Sequence, residues 1–213
     1  MATFERAAFF IDGNNFYHSL RGVGVGVEGL DHLRVCDKLR QARSLAYVGY
    51  YIGRLAPDAP HYGNQRRLFH QLRTQGINVV EGRIEKRPAG SALSDRVNEL
   101  LAWLTKNVSG RMDRPLYNIL RQRVADLVDS YVWVEKAVDV HIAVDMVGMA
   151  RRDEYDVGYL LSADGDYTPV AAEVRRLGKK VFAVSPSHGN ELSKAVDLYI
   201  HLRPDWFQDC MTR

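Results

Sequence analysis

The sequence predicts an α/β protein, a mostly parallel sheet of five or six strands flanked by helices and interrupted once by a helical insertion. Three observations carry this. Short apolar runs, several rich in β-branched and aromatic residues, recur along the chain and close in a turn or an acid. Segments with helical spacing of apolar residues separate them, the alternation that right-handed βαβ crossovers produce. One interval, 88–130, breaks the alternation with two amphipathic helical patterns in succession.

The elements follow in order. AAFFI (7–11) is a buried strand ending at Asp12-Gly13, and a helical stretch follows it. A helix near 31–42 leads to the strand LAYVGYYIG (45–53). Residues 61–75 are helical, with Leu68 and Leu72 one turn apart; Gly76 ends the helix, and INVVEGRI (77–84) is the third strand. Within 88–130, one apolar stripe runs through Leu93, Val97, Leu100, Leu101 and Leu104, and another through Leu116, Ile119, Leu120, Val124 and Leu127. Ser109-Gly110 divides them, and the pair reads as an insertion or lid on one domain of 213 residues. Residues 139–150 are helical, with Val140, Ala143, Val144 and Val147 as the expected buried stripe. VGYLLSAD (157–164) is a buried strand running into a turn; helix 169–177, strand 179–185 and a short helix with a last strand in 190–202 complete the pattern.

Composition bounds the function. With 46% hydrophobic and 10% aromatic residues the chain can fill a core, and a net charge of +3 permits a nucleic-acid partner without demanding one. Cys36 and Cys210 stand far apart without zinc-ligand spacing, which argues against a disulfide framework or a structural zinc and for a reducing, cytoplasmic setting. No run of about 18 uncharged apolar residues exists, so no membrane partner is expected.

Acidic residues recur where this topology puts the carboxyl ends of strands. Asp12 closes the first strand, Asp139 stands where YVWVEKAV meets the next helix, and Asp164 and Asp166 follow the LLS strand. A parallel sheet brings such positions together. Hard oxygen ligands with no Cys or His beside them suit Mg²⁺ or Mn²⁺ better than zinc. A hard cation on a few carboxylates is the usual arrangement for phosphodiester chemistry. Each acid also has an ordinary role open to it, as a turn residue or a helix cap. Asp145, six residues after Asp139, points about 120° away from it on a helix and suits a hydrogen-bonding role. Asn15 could orient Asp12, and Ser162 could meet a substrate phosphate or its own loop. For nucleic acid, the candidates are Arg54, Arg66, Arg67, Arg83, Lys86 and Arg87, with Tyr50, Tyr51 and Tyr62 as stacking rings; arginines and exposed rings together suit a single strand. A literal G-x-G-x-x-G at Gly24, Gly26 and Gly29 follows a helix and not a strand, so it reads as a flexible flap beside Asp12 and not as a dinucleotide site.

These residues carry a resemblance. FFIDGNNFY (9–17) resembles the opening motif of NYN domains, a branch of the PIN-like nucleases. EKAVDVHIAVDM (135–146) is similar to the family's Lys-Gly-Val-Asp…Asp segment, and YLLSADGDYTPVAAEVRRLGKKVFAVS (159–185) to its Ser-Gly-Asp-x-Asp-Phe-x-Pro stretch. ELSKAVDLYIHL (191–202) resembles its closing pattern, and the bacterial LabA-like members look nearest. Ala137 and Ala163 stand where the pattern has glycine, and Tyr167 where it has phenylalanine. The resemblance implies a Rossmann-like PIN fold and a Mg²⁺ or Mn²⁺ site on Asp12, Asp139, Asp164 and Asp166, assisted by Asp145 and Asn15. It further implies cleavage of RNA, expected single-stranded, by metal-activated water. The alternatives are a catalytically silent RNA-binding or protein-interaction module of the same fold, and a phosphomonoesterase. Asn14 stands where a phosphomonoesterase of the Asp-x-Asp type has its second acid, which counts against the latter. Homodimerisation is left open.

Overall fold

The computed structural model describes residues 4–88, 91–126 and 131–212, with side chains outside 86–94 and 127–133. Strand β1 (Arg6–Asp12) is followed by helices α1 (Gly13–Gly22) and α2 (His32–Arg40). Then come β2 (Ser44–Arg54), α3 (Tyr62–Thr74) and β3 (Asn78–Pro88). Helices α4 (Ser91–Asn107) and α5 (Arg114–Ala125) precede β4 (Tyr131–Lys136) and α6 (Val138–Arg151). Strand β5 (Val157–Leu161), a 3₁₀ turn (Gly165–Tyr167), α7 (Thr168–Arg176), β6 (Lys180–Ser185), α8 (Leu192–Ala195), β7 (Leu198–His201) and a 3₁₀ turn (Pro204–Cys210) complete the chain. No helix among the described residues is long and apolar enough to cross a membrane.

The sheet has seven strands in the order β4-β3-β2-β1-β5-β6-β7, against the five or six expected. The extra strand is β4, which the hydropathy pattern had merged into the approach to α6. The pairs β1–β2, β1–β5, β2–β3, β5–β6 and β6–β7 are all parallel. Parallel strands covered on both faces are apolar throughout, and β1 shows why. Ala7, Phe9 and Ile11 join one core with α1, α2 and Phe207, whereas Ala8 and Phe10 join a second core with α6 and α7. All five are completely buried. At the opposite end of β1 from Asp12, Arg6 is gripped by Asp156 and Asp153; that pairing holds the Asp156 carboxyl well below its ordinary range.

The chain forms two compact units, Met1–Arg83 with Lys136–Arg213, and Ile84–Glu135. In the smaller one α4 and α5 pack together through Val97, Leu104, Tyr117 and Val124. The buried stripes differ from those expected: Leu100, Leu116 and Ile119 are exposed, Tyr117 takes an inward position, and the side chains of Leu93 and Leu127 lie outside the described residues. A helix pair sharing one seam buries only a narrow stripe of each member, narrower than hydropathy alone suggests.

Two further expectations are corrected. On α6, the sheet-facing residues are Val138, Ile142, Met146 and Met149, while Val140 and Val144 are exposed. This helix is apolar on two sides, and Asp145, on the inward side, disguised which one packs. The glycine loop is no free flap either. Val25 and Leu30 are buried in the first core, and Thr212 donates a backbone hydrogen bond to Gly29 O.

Ala137, the residue before α6, has φ 71, a left-handed conformation that costs an L-residue roughly 1–2 kcal/mol. β3 approaches this corner so closely that a Cβ on Gly82 would lie 2.7 Å from Lys136 O. Ala137→Gly relieves the strain against a smaller entropic cost. It should raise stability by up to about 1 kcal/mol in urea unfolding.

Candidate active site

The sheet changes its direction of winding at β1, with β2 and β3 on one side and β5, β6 and β7 on the other. In open α/β sheets the crevice beyond the carboxyl ends at that point is where ligands bind. Asp12 is the last residue of β1 and lies in register with Tyr51 of β2. Strand alternation turns its side chain to the α6/α7 side, as it does Ala8 and Phe10. Asp12 caps α1, accepting a hydrogen bond from the Asn15 backbone at 3.0 Å. The following residue must be glycine: a Cβ on Gly13 would meet the Tyr50 ring at 2.6 Å and Tyr51 O at 2.9 Å.

Asp12 is only 4% exposed. Burial pushes its pKa up; hydrogen bonds from the Asn15 backbone and Tyr167 oppose that rise, and the charges of Asp139 and Asp164 add to it. Asp139 is delivered by the first turn of α6, where it is exposed. Between Asp12 and Asp139 stands the Tyr167 hydroxyl, 3.0 Å from Asp12 Oδ2 and 2.9 Å from Asp139 Oδ1. Burial and the two carboxylates keep this phenol protonated by raising its pKa. One phenol proton cannot satisfy two ionised carboxylates at once.

The loop after β5 is tied to the same point. Ser162 is completely buried; its hydroxyl donates to Asp12 Oδ2 at 3.4 Å and accepts from the Asp164 backbone at 3.1 Å. It is therefore a positioning residue, and the expectation that it meets a substrate phosphate is corrected by its burial. Asn15 Oδ1 accepts from the Ala163 backbone at 3.1 Å, which fixes the loop against α1. Asp164 is half-buried and accepts from the Asp166 backbone at 3.0 Å, while the Asp166 side chain is exposed. Asp145 takes a different partner from Asp139, accepting from Tyr51 at 2.8 Å, with Tyr47 hydrogen-bonded to Tyr51 in turn at 3.1 Å.

Tyr167 and the Tyr51–Tyr47 pair are the residues that sequence reasoning missed. Tyr167 read as a substituted phenylalanine, and Tyr50 and Tyr51 as exposed stacking rings. Both of the latter are buried, at 4% and 0% exposure, so neither can stack on a base. A signal existed in the alternation of β2, which turns Tyr51 to the face that Asp12 uses.

The donor set fits a hard divalent cation. Asp12 and Asp139 offer carboxylate oxygens, Asp164 lies near enough to raise the Asp12 pKa, and among the described residues no lysine or arginine forms an ion pair with any of them. Among those residues, no group of three Asp, Glu, His or Cys is arranged to hold an ion directly. Mg²⁺ keeps several waters and needs only one or two protein carboxylates, so the third acid can act through water.

Basic residues gather at the ends of β2 and β3. The Gln65 amide clamps α3 to the end of β2, donating to Gly53 O and accepting from the Leu55 backbone, both at 2.9 Å. Arg54, Tyr62, Arg66, Arg73 and Glu81 line a small cavity there. Arg54 and Arg73 are both paired with Glu81, and Arg67 donates to Asn64. Arg66 is exposed and forms no ion pair among the described residues, and Arg83 is also exposed. The side chains of Lys86 and Arg87 lie outside the described residues.

The raised pKa of Asp12 gives a stability test. A carboxyl whose folded pKa lies above its unfolded value, about 3.9, supports folding below that value and costs stability as pH rises through the folded pKa. Asp12→Asn keeps the cap and removes the charge. In metal-free buffer it should melt higher than the parent at neutral pH, with the difference vanishing toward pH 4. An unchanged difference across that range would show that the Asp12 charge is not destabilising.

A family model described as NYN domain matches residues 6–203. Among solved structures, a protein of unknown function from Vibrio parahaemolyticus RIMD 2210633 has a similar fold, with a TM-score of 0.60 at 18% identity. That alignment covers 100% of this chain and 99% of the other. No curated protein sequence matches this chain significantly. The family match spans nearly the whole chain, from β1 to beyond β7, and includes every acid described above. The chain therefore belongs to the NYN domain family, a member of the PIN-like superfamily.

Proposed function

We propose that this NYN domain is a divalent-metal-dependent ribonuclease that hydrolyses phosphodiester bonds, with single-stranded RNA as substrate. The observation that carries the proposal is the buried Asp12 carboxylate, its pKa raised further by Asp139 and Asp164, with no basic side chain among the described residues ion-paired to any of the three. An electrostatic arrangement of this kind is costly, a few kcal/mol for close like charges, unless a cation completes it.

In this reading Asp12 and Asp139 would hold Mg²⁺ or Mn²⁺, with Asp164 and Asp166 adding negative charge beside them. The chemistry such a cation would supply when bound is positive charge for the scissile phosphate and a lowered pKa for water. The remaining work falls to the chain. Ser162 and Asn15 fix the loop bearing Asp164 against Asp12. Tyr51 holds Asp145 beside the sheet, which assists the site through packing and hydrogen bonding. Arg66, with Arg54 and Arg67, meets phosphates of the strand, and Arg83 on β3 adds to that basic set. Contacts of this kind supply affinity that falls as salt rises.

The test is incubation of the purified protein with single-stranded RNA, single-stranded DNA and duplexes, in Mn²⁺ and in EDTA. Single-stranded RNA should be cleaved in Mn²⁺ alone. Asp164→Asn should lower the rate by a factor of about 100 or more while RNA binding stays intact or improves, because one repulsive charge is gone. Arg66→Ala should do the reverse, weakening binding and lowering the salt slope by about one ion. Cleavage by Asp164→Asn at the parental rate would put the chemistry elsewhere. RNA binding without cleavage of any substrate would favour a silent RNA-binding module.

A further inference from the structure

The Tyr167 hydroxyl does more than fill space. Its ring is 1% exposed and packed in the core shared with α6 and α7, so the hydroxyl cannot swing aside. It sits between Asp12 Oδ2 and Asp139 Oδ1, and those two oxygens are therefore no farther apart than its two hydrogen bonds end to end. Asp12 has little capacity left. Oδ1 accepts from the Asn15 backbone, and Oδ2 accepts from both Ser162 and Tyr167. A carboxylate oxygen carries two lone pairs, so Oδ2 is fully used whenever the single phenol proton points to Asp12, and Asp139 Oδ1 has the same proton when it points the other way.

A cation bridging Asp12 and Asp139 needs two oxygens within about 4 Å of each other, with lone pairs pointing at it. The phenol O–H presents the positive end of its dipole to the same lone pairs. It therefore acts as a rival ligand that partly satisfies the carboxylates when no cation is bound. Filling the core at this position requires only the ring. The hydroxyl is the one added group, and its two contacts are both to acids of the site.

We propose that the Tyr167 hydroxyl is a built-in competitor for the divalent cation, holding the Asp12–Asp139 pair together when empty and weakening metal binding there. This rests on the metal-site reading above. A fixed donor of this kind tunes the cation concentration at which the site fills. It leaves the ligands themselves unchanged.

The experiment is calorimetric titration of the whole chain with Mn²⁺ alone, at one pH, with the Mn²⁺-induced rise in melting temperature as a second readout. Tyr167→Phe keeps the ring, so the fold is retained. Removing a hydrogen bond to a charged group should tighten Mn²⁺ binding by about tenfold and enlarge the thermal shift. Replacement of Tyr167 by 3-fluorotyrosine, a stronger donor, should move the affinity the other way. Tyr155→Phe is the control: it also deletes a buried phenol, but one that donates to Met146 O at 2.8 Å and touches no acid. It should leave Mn²⁺ affinity as in the parent. Equal or weaker binding by Tyr167→Phe, with clear binding by the parent, overturns the competitor role and leaves the metal site standing. No Mn²⁺ binding by either protein overturns both.

Discussion

The acidic site depends on one constraint: Asp12 is buried at the carboxyl end of the central strand, and among the described residues no positive side chain is paired to it. Its position follows from β1 itself. A strand covered on both faces has no solvent-facing side, so a carboxylate at its end is enclosed by whatever the neighbouring strands and helices bring. Here they bring Tyr51 from β2, Ser162 from the end of β5 and Asp139 from α6. The energetic cost is set by burial first and by like charge second, the order in which they raise the Asp12 pKa.

Hydroxyl groups take up that cost in the absence of a cation. Ser162 and Tyr167 both donate to Asp12 Oδ2, and Tyr51 donates to Asp145. These donors come from three different elements, so the two sides of the crevice are joined through carboxylates and not through apolar contact alone. A buried network of this kind is stable only when its groups are satisfied. The two carboxylates that share a single phenol proton are the place where it falls short.

The helical segment α4–α5 stands apart in its physics. Val97, Leu104, Tyr117 and Val124 make a small core of their own, and Leu100, Trp103, Leu116 and Ile119 stay exposed. The α/β unit is complete in itself: its strands supply both cores, and its acids come from β1, α6 and the loop after β5.

What the sequence determined was the order of elements and the acids at strand ends. Both arise from local rules: period-two and period-3.6 hydropathy, turn residues after strands, and the expectation that parallel strands end on one edge. The resemblance to the family rested separately on three acidic motifs standing in order. Choices between chemically equivalent faces were left to the tertiary structure. Helix α6 could pack on Val140 and Val144 or on Ile142 and Met146, and the second is the face whose contacts the fold provides, among them the hydrogen bond between Tyr51 and Asp145. Tyr50 and Tyr51 look alike in the chain, yet register puts Tyr51 opposite Asp12 and closes both rings off from solvent. Tyr167 became a member of the site because a strand pairing and a helix crossing, more than 25 residues away in each direction of contact, brought Asp12 and Asp139 to its hydroxyl. Contacts between residues remote in sequence leave no periodic trace, because a periodic pattern records only which way a side chain faces and never what it meets.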